Sequence, residues 1–321
     1  MNIISLFSGA GGLDFGFQKA GFNIIWSNEY DKAIWATHEK NFPLCELSKK
    51  SITEIDAKDV PDCDGIIGGP PCQSFSEAGA KRGTIDKRGQ LFWDYIRILK
   101  EKQPKFFVAE NVTGLMSQRH KDDLKNFIKA FSDAGYNIHY KIYNAYSYGT
   151  PQSRERVIFV GLHKSLNKTF IEPTVYDKKI NLEDILTGMN EPVACKGGKK
   201  TPDLIDSHEY MTGTFSSMYM SRNRVRKWTE PSFTILATAR QIPIHPQAPA
   251  MIKLSKDRFI FKPGCEDDYR RLSVRECARI QGFPDDFLFH YNKIEDGYKM
   301  IGNAVPVPLA FAIAQQIKSL F

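Results

Sequence analysis

Short apolar runs alternate with longer amphipathic stretches through the first half of the chain, and no other feature restricts the fold as much. Ile3–Phe7, Ile24–Ser27, Gly65–Ile67, Phe106–Ala109, Tyr140–Asn144 and Val157–Gly161 read as strands, being brief and rich in branched or aromatic residues. Between them, Leu13–Ala20, Lys32–Asn41, Leu91–Lys102 and Lys121–Ala134 carry apolar residues three and four positions apart, the period of a helix buried on one face. Gly21 and Gly135 stand where C-caps belong. This alternation predicts an α/β fold with a doubly wound, mostly parallel sheet.

The pattern changes near Asn181. A stretch rich in Gly, Pro, Ser and Thr follows, with β-like pieces at Thr212–Met220, Ser232–Thr238 and Met251–Leu254. Pro306–Phe321 returns to a helical period, with Leu309, Ile313, Ile317 and Leu320 on one side. A chain of 321 residues is long enough for about two domains. The expectation is a larger domain of residues 1–180 plus 293–321, and a smaller, irregular, β-containing domain of 181–292 inserted before the C-terminal helix.

Charge concentrates in that insert. Lys and Arg number 44 against 37 Asp and Glu, a net +7, and within 221–260 Arg222, Arg224, Arg226, Lys227, Arg240, Lys253, Lys256 and Arg258 face only Glu230 and Asp257. Arg222, Arg224 and Arg226 alternate as residues on one face of a strand do, a geometry suited to phosphates and guanine edges. Lys253–Arg258 reads equally well as a solvated face.

The six cysteines show no zinc spacing, so no metal site is expected. The first apolar run has no basic leader, and no apolar run is read as a membrane span. These points lead to the expectation of a cytoplasmic protein with reduced thiols, in which a special cysteine serves chemistry rather than a disulfide.

Four segments carry that chemistry. Phe7-Ser8-Gly9-Ala10-Gly11-Gly12, with Leu13, joins the first strand to the first helix, placing glycine amides and a helix N-terminus at the sheet edge. A dinucleotide fingerprint would need glycine where Asp14 stands, which argues against an NAD enzyme. Glu29, twenty residues after Gly9, can accept both hydroxyls of a ribose, with Tyr30 placed to cover a base; alternatively Glu29 caps the helix beginning near Asp31. Gly68-Gly69-Pro70-Pro71-Cys72-Gln73 leaves the sheet rigidly and presents a thiol. Lone cysteines are commonly apolar fillers, but fillers do not usually follow Gly-Gly-Pro-Pro. Glu110-Asn111-Val112 brings a carboxyl group to the same edge, and Gln152-Ser153-Arg154-Glu155-Arg156 two guanidiniums, unless these form a plain surface pair with Glu155. The polar Ser74–Gln90, with Gly79, Gly83 and Gly89, suits a mobile loop closing on DNA or an ordinary surface loop.

Taken in order with Arg271-Leu272, Gln281-Gly282-Phe283-Pro284 and Gly302-Asn303-Ala304-Val305-Pro306, these blocks resemble the cytosine-5 DNA methyltransferases over the whole chain. The resemblance implies an S-adenosylmethionine-dependent methyltransferase fold. It implies S-adenosylmethionine bound by Phe7, Gly9, Gly11, Gly12, Leu13, Glu29, Tyr30, Ile52, Pro70, Asn303 and Val305. It implies Cys72 as nucleophile, Glu110 at the cytosine edge, and Arg154 with Arg156 steadying a flipped base. Ser51 stands where the family often has an Asp contacting the adenine amine, and Gln281–Pro284 is expected to organise rather than catalyse. Arg222, Arg224, Arg226, Arg240 and Gln241 are the expected DNA readers. Ser221–Arg226 with Arg240-Gln241 and His245–Pro249 are similar to bacterial modification enzymes acting on GGCC. The implied partners are double-stranded DNA and, functionally, a restriction endonuclease, with a monomeric protein and no membrane. Transfer RNA methylation, a non-catalytic DNA-binding protein on the same frame and, last, an NAD oxidoreductase are the alternatives.

Overall fold

In the computed structural model, residues 1–71 and 91–321 are described in full and 87–90 by their helical backbone. Cys72 and the Ser74–Gln90 stretch otherwise lie outside the described residues. Among the described residues, seven strands form the main sheet in the order β3 (Glu46–Ser48), β2 (Asn23–Asn28), β1 (Asn2–Leu6), β4 (Gly65–Gly68), β5 (Phe106–Val112), β7 (Glu155–His163), β6 (Tyr136–Asn144). The first five are parallel, and β7 runs antiparallel to both its neighbours. The mostly parallel α/β sheet expected from the sequence is present.

Alternate residues of each strand enter opposite layers, as a pleated strand requires. Ile3, Phe106 and Val108 pack under α1 (Gly12–Lys19) and α8 (Val307–Lys318), whereas Ile4, Phe107 and Ala109 pack under α3 (Lys87–Lys102) and α4 (Lys121–Asp133). The C-terminal helix therefore returns to the first sheet, and does so closely: a Cβ on Gly16 would stand 2.4 Å from Cβ of Ala310. Gly21 and Gly135 have φ of 85° and 105°, the left-handed conformation expected past a helix end.

A second apolar cluster joins α5 (Leu182–Leu186), α6 (Val274–Ile280) and α7 (Ile294–Asn303) with Ala10, Ile34 on α2 (Lys32–Asn41) and Phe42. A third, smaller one holds Tyr219, Val225, Ile244, Ala248, Met251 and Tyr269. Two short ladders lie in this half, β8 (Val193–Cys195) with β9 (Glu209–Met211) and β10 (Ile252–Ser255) with β11 (Arg258–Ile260).

Three strand readings are corrected here. Thr212–Met220 and Ser232–Thr238 are not strands; the latter is extended chain clamped by Gln152, Ser153 and Arg154, with a single bridge at Ser232. Arg222–Arg226 is likewise no strand, making one bridge from Val225 to Ile244. Ile294–Lys318 is long and apolar enough to cross a membrane, but it is two helices interrupted at Ala304–Pro306, with 72% of its most apolar window buried.

Candidate active site

The strand order reverses between β1 and β4, and in open α/β sheets ligands bind beyond the carboxyl ends of the strands at such a switch point. Here β4 ends at Gly68, where a Cβ would stand 2.2 Å from the Leu6 carbonyl, and β1 runs into a turn with left-handed backbone. Phe7 and Gly9 take left-handed φ of 55° and 56°, costly for Phe7 and free for Gly9. Gly11, at 87°, holds the ring of Phe42 where a Cβ would lie, 2.2 Å away, and a Cβ on Gly12 would stand 2.5 Å from the Val305 carbonyl.

These turns bound a cavity of about 380 Å³ whose wall includes Phe7, Gly9, Gly12, Leu13, Glu29 and Pro70. Glu110, Arg154, Arg156, Asn303 and Val305 complete it from β5, β7 and the α7–α8 junction. Residues from five expected blocks thus meet at one sheet edge. Gly11 lies behind this wall. Tyr30 and Ile52 do not line the cavity: Tyr30 is 69% exposed, and Ile52 is buried among Ile4, Leu6 and Trp26. Ser51 hydrogen-bonds Thr53, at 2.8 Å.

Glu29 directly follows β2 and accepts the amides of Gly9 (2.9 Å) and Asp31 (2.7 Å). Burial pushes its carboxyl above the usual range, although the amides of Asp31 and Gly9 pull the other way. The capping role belongs to Asp31, whose side chain accepts the Ala33 amide at 3.0 Å.

On the opposite wall Arg156 Nε lies 2.8 Å from Glu110 Oε1, and Asn111 Nδ2 donates to the Pro70 carbonyl at 3.1 Å. The latter bond ties β5 to the segment that leads through Pro71 to Cys72, itself outside the described residues. Arg154 is held differently from Arg156. Only 1% exposed, it donates to the carbonyls of Ile235, Gly302 and Ala304 at 2.9, 2.8 and 3.1 Å, so burial and then Arg156 pull its pKa down. Its Nε has no hydrogen-bond partner among the described residues. The surface pair with Glu155 is not formed by either arginine among the described residues; Arg156 meets the backbone carbonyl of Glu155 and pairs instead with Glu110.

Gln281 accepts from Gln152 Nε2 (2.9 Å) and donates to Ile301 O (2.8 Å), bonding the 150–156 and 301–304 segments together. A second cavity, about 180 Å³, lies beyond the 232–238 segment and is lined by Arg222, Arg224, Arg226, Gln241, Ser153 and Thr234 among others. Arg240 is exposed and outside its wall. Arg224 donates through Nε to Tyr219 O (2.8 Å) and through Nη2 to Met218 O (3.1 Å), over the Tyr219 ring. Arg226 lies 4.0 Å over the ring of Phe233.

Sequence reasoning missed Ser153, Thr234 and Lys299. Lys299 lines the first cavity and pairs with Asp31 at 2.6 Å. It lies on the exposed side of a strongly amphipathic helix, a signal too common to single it out.

Residues 1–319 match the family model described as C-5 cytosine-specific DNA methylase. The chain is 54% identical to the Type II methyltransferase M.FnuDI of Fusobacterium nucleatum, over 99% of this chain and 94% of that one. It is 53% identical to M.NgoPII of Neisseria gonorrhoeae, over 99% and 95%. An E. coli crystal structure described as a prophage-encoded DNA modification methyltransferase superposes with a TM-score of 0.76 at 26% identity, covering 100% and 99% of the two chains. Matched over nearly its full length by the family model and at this identity by such relatives, the chain is an enzyme and belongs to the C-5 cytosine-specific DNA methylases.

Proposed function

We propose that the protein is a Type II DNA (cytosine-5-)-methyltransferase that takes the methyl group of S-adenosylmethionine to carbon 5 of a cytosine flipped out of double-stranded DNA. The observation that carries this reading is one cavity with two unlike walls. One wall offers a glycine turn and Glu29, suited to a nucleoside. The other offers Glu110 and Arg156, suited to a pyrimidine edge.

The first wall fits the donor. A Cβ on Gly9 would meet no atom of the described residues within 4 Å, so the glycine leaves open space beside Glu29 for a ligand. Glu29 would hold the ribose, Phe7 and Leu13 the apolar faces, and Asn303 with Val305 the far side. When bound, S-adenosylmethionine supplies an electrophilic methyl group on a sulfonium.

The remaining work falls to the chain. Carbon 5 of cytosine is too weak a nucleophile unaided, so the Cys72 thiolate adds to carbon 6 and the ring electrons move toward carbon 5. Glu110 holds ring nitrogen 3 as charge develops there, and Arg156 positions Glu110. Once carbon 5 has been methylated, it loses its proton and β-elimination returns the thiolate. The target atom is inaccessible inside a duplex, so the base must leave the stack at a cost of a few kcal/mol. Arg154 acts mainly as a clamp holding the 302–304 turn, with its unpartnered Nε at the wall.

Residues 1–180 with 293–321 would form the catalytic and cofactor-binding domain and 181–292 the target-recognition domain. Arg222, Arg226 and Gln241 around the second cavity, with Arg240 beside it, support guanine reading, and GGCC is the proposed site. The enzyme would act as a monomer in the cytoplasm and protect host DNA from a paired endonuclease. Transfer RNA methylation has less support, since the family model is a DNA methylase.

Methylation mapping of a plasmid incubated with enzyme and donor tests this reading. It predicts 5-methylcytosine confined to GGCC; modification elsewhere would overturn the site, and methylation of transfer RNA alone would overturn the substrate.

A further inference from the structure

Beneath the glycine turn, three buried side chains from three elements meet. Asp14, in the first turn of α1, is 0% exposed and belongs to the cavity wall. Ser5 of β1 donates to its Oδ1 at 2.5 Å, and His38 of α2, also 0% exposed, places Nε2 3.2 Å from Oδ2. The His38 ring lies 4.8 Å from the Phe42 ring, tilted by 31°, and Phe42 is the ring that fills the space beside Gly11. The cluster therefore cannot rearrange without moving the turn.

The proton arrangement follows from one orphaned atom. Nδ1 of His38 is buried and has no hydrogen-bond partner among the described residues. An imidazolium, or the tautomer protonated on Nδ1, would bury an N–H with no acceptor; the Nε2–H tautomer leaves only a lone pair. His38 is thus neutral and donates to Asp14. Receiving two donors and asked to donate to neither, Asp14 is a carboxylate.

Two other carboxylates in the wall face a cation, and Arg154 is spent on three backbone carbonyls. Glu110 pairs with Arg156 and Asp31 with Lys299, whereas no Lys or Arg among the described residues pairs with Asp14. Glu29 also lacks a cationic partner, but its two oxygens are taken by the amides of Gly9 and Asp31, at the ribose end of the wall. Asp14 remains a buried carboxylate with no Lys or Arg partner among the described residues beneath the turn, where a charge is screened less than in water.

We propose that Asp14, fixed by Ser5 and His38, is the charge-selecting residue of the cofactor cavity, favouring a cationic methyl donor over the thioether that remains once the methyl group has left. This rests on S-adenosylmethionine being the donor, as proposed above. Such selection lets spent cofactor leave without a conformational trigger, since methyl transfer itself removes the sulfur's positive charge.

Calorimetric titration of the full chain, without DNA, with S-adenosylmethionine and with S-adenosylhomocysteine tests it. Asp14→Asn keeps the shape and removes the charge. It should weaken the sulfonium ligand by roughly tenfold and change the thioether's affinity by less than about twofold. Asp14→Ser, smaller and equally neutral, repeats the measurement if the asparagine variant does not fold. Equal weakening of both ligands, or no change in either, overturns the proposal and leaves the cofactor reading standing. Failure of the unsubstituted protein to bind either ligand overturns the cofactor reading instead.

Discussion

Arg156 reaches diagonally across the antiparallel β5–β7 pair to Glu110: its backbone partner is Val112, yet its Nε lies 2.8 Å from the Glu110 carboxylate two residues back. Residues i and i+2 of one strand share a face, so Glu110 projects to the same side as Val112 and lies at the diagonal position that a long side chain on the neighbouring strand can reach. Without the arginine the carboxylate would lie close to the wall with no fixed direction.

Glu110→Gln keeps the volume and removes the charge. Single-turnover methyl transfer should slow by roughly a hundredfold or more, while the dissociation constant for DNA changes little. A variant that bound DNA poorly but turned over normally once saturated would make Glu110 a binding residue.

The two arginines should separate in thermal denaturation. Arg154→Ala leaves three buried carbonyls without a donor and should destabilise the fold by about 3 kcal/mol or more. Arg156→Ala breaks one partly exposed pair, so stability should fall by less than about 1 kcal/mol while turnover drops. Equal losses of stability would mean both arginines are clamps.

The strands around this site were legible because parallel sheets bury both faces: Gly65–Ile67 and Phe106–Ala109 are apolar throughout and flanked by turn residues. The sequence-based bounds fell short at β5, whose last residues Glu110–Val112 are polar, and at β6, which begins at Tyr136 rather than Tyr140. The three-residue β3 was missed because it has no period to detect. The meeting of Phe7, Glu29, Glu110 and Arg156 followed from the expectation that they stand at one sheet edge. Arg154 as a clamp did not, because its partners are backbone carbonyls 81 to 150 residues away, and carbonyls leave no mark in a sequence. For the same reason Ser232–Thr238 looked like a strand: it is extended, but its bonds go to the side chains of Gln152 and Arg154.

Acid should act through His245. Burial holds its pKa at about 4, and Glu276, 3.5 Å away, does not restore it because Arg270 takes both carboxylate oxygens. Unfolded, the ring titrates near 6.5, so between about 6.5 and 4 the unfolded chain binds a proton the folded one does not, and stability falls as pH drops through that window. His245→Asn should flatten this slope, worth roughly 2 kcal/mol, in urea titrations at pH 7 and pH 5. The loss expected from Glu276, whose pKa is lowered by Arg270 and His245 despite its burial, sets in only as pH falls to the ordinary carboxylate value and is complete below it, so most of it follows the His245 loss. An unchanged slope would mean His245 is not the group responsible.

Base preference should divide between neighbours. Arg222 is exposed at the rim of the second cavity, and Arg222→Ala should relax preference at one position of the site by about 1–3 kcal/mol without lowering the melting temperature. Arg224, tied to Met218 and Tyr219, should lose preference and stability together. Uniform weakening on all sequences, with a salt slope smaller by about one, would make Arg222 a phosphate contact.

The account depends most on a thiol bonding to the pyrimidine. Duplex DNA carrying 5-fluorocytosine in GGCC, incubated with enzyme and S-adenosylmethionine, should yield a denaturation-resistant complex, because fluorine cannot leave as a proton would. Peptide mapping should place the link on Cys72, and Cys72→Ala should form none. A complete reaction with no adduct, or an adduct on another residue, would contradict the mechanism.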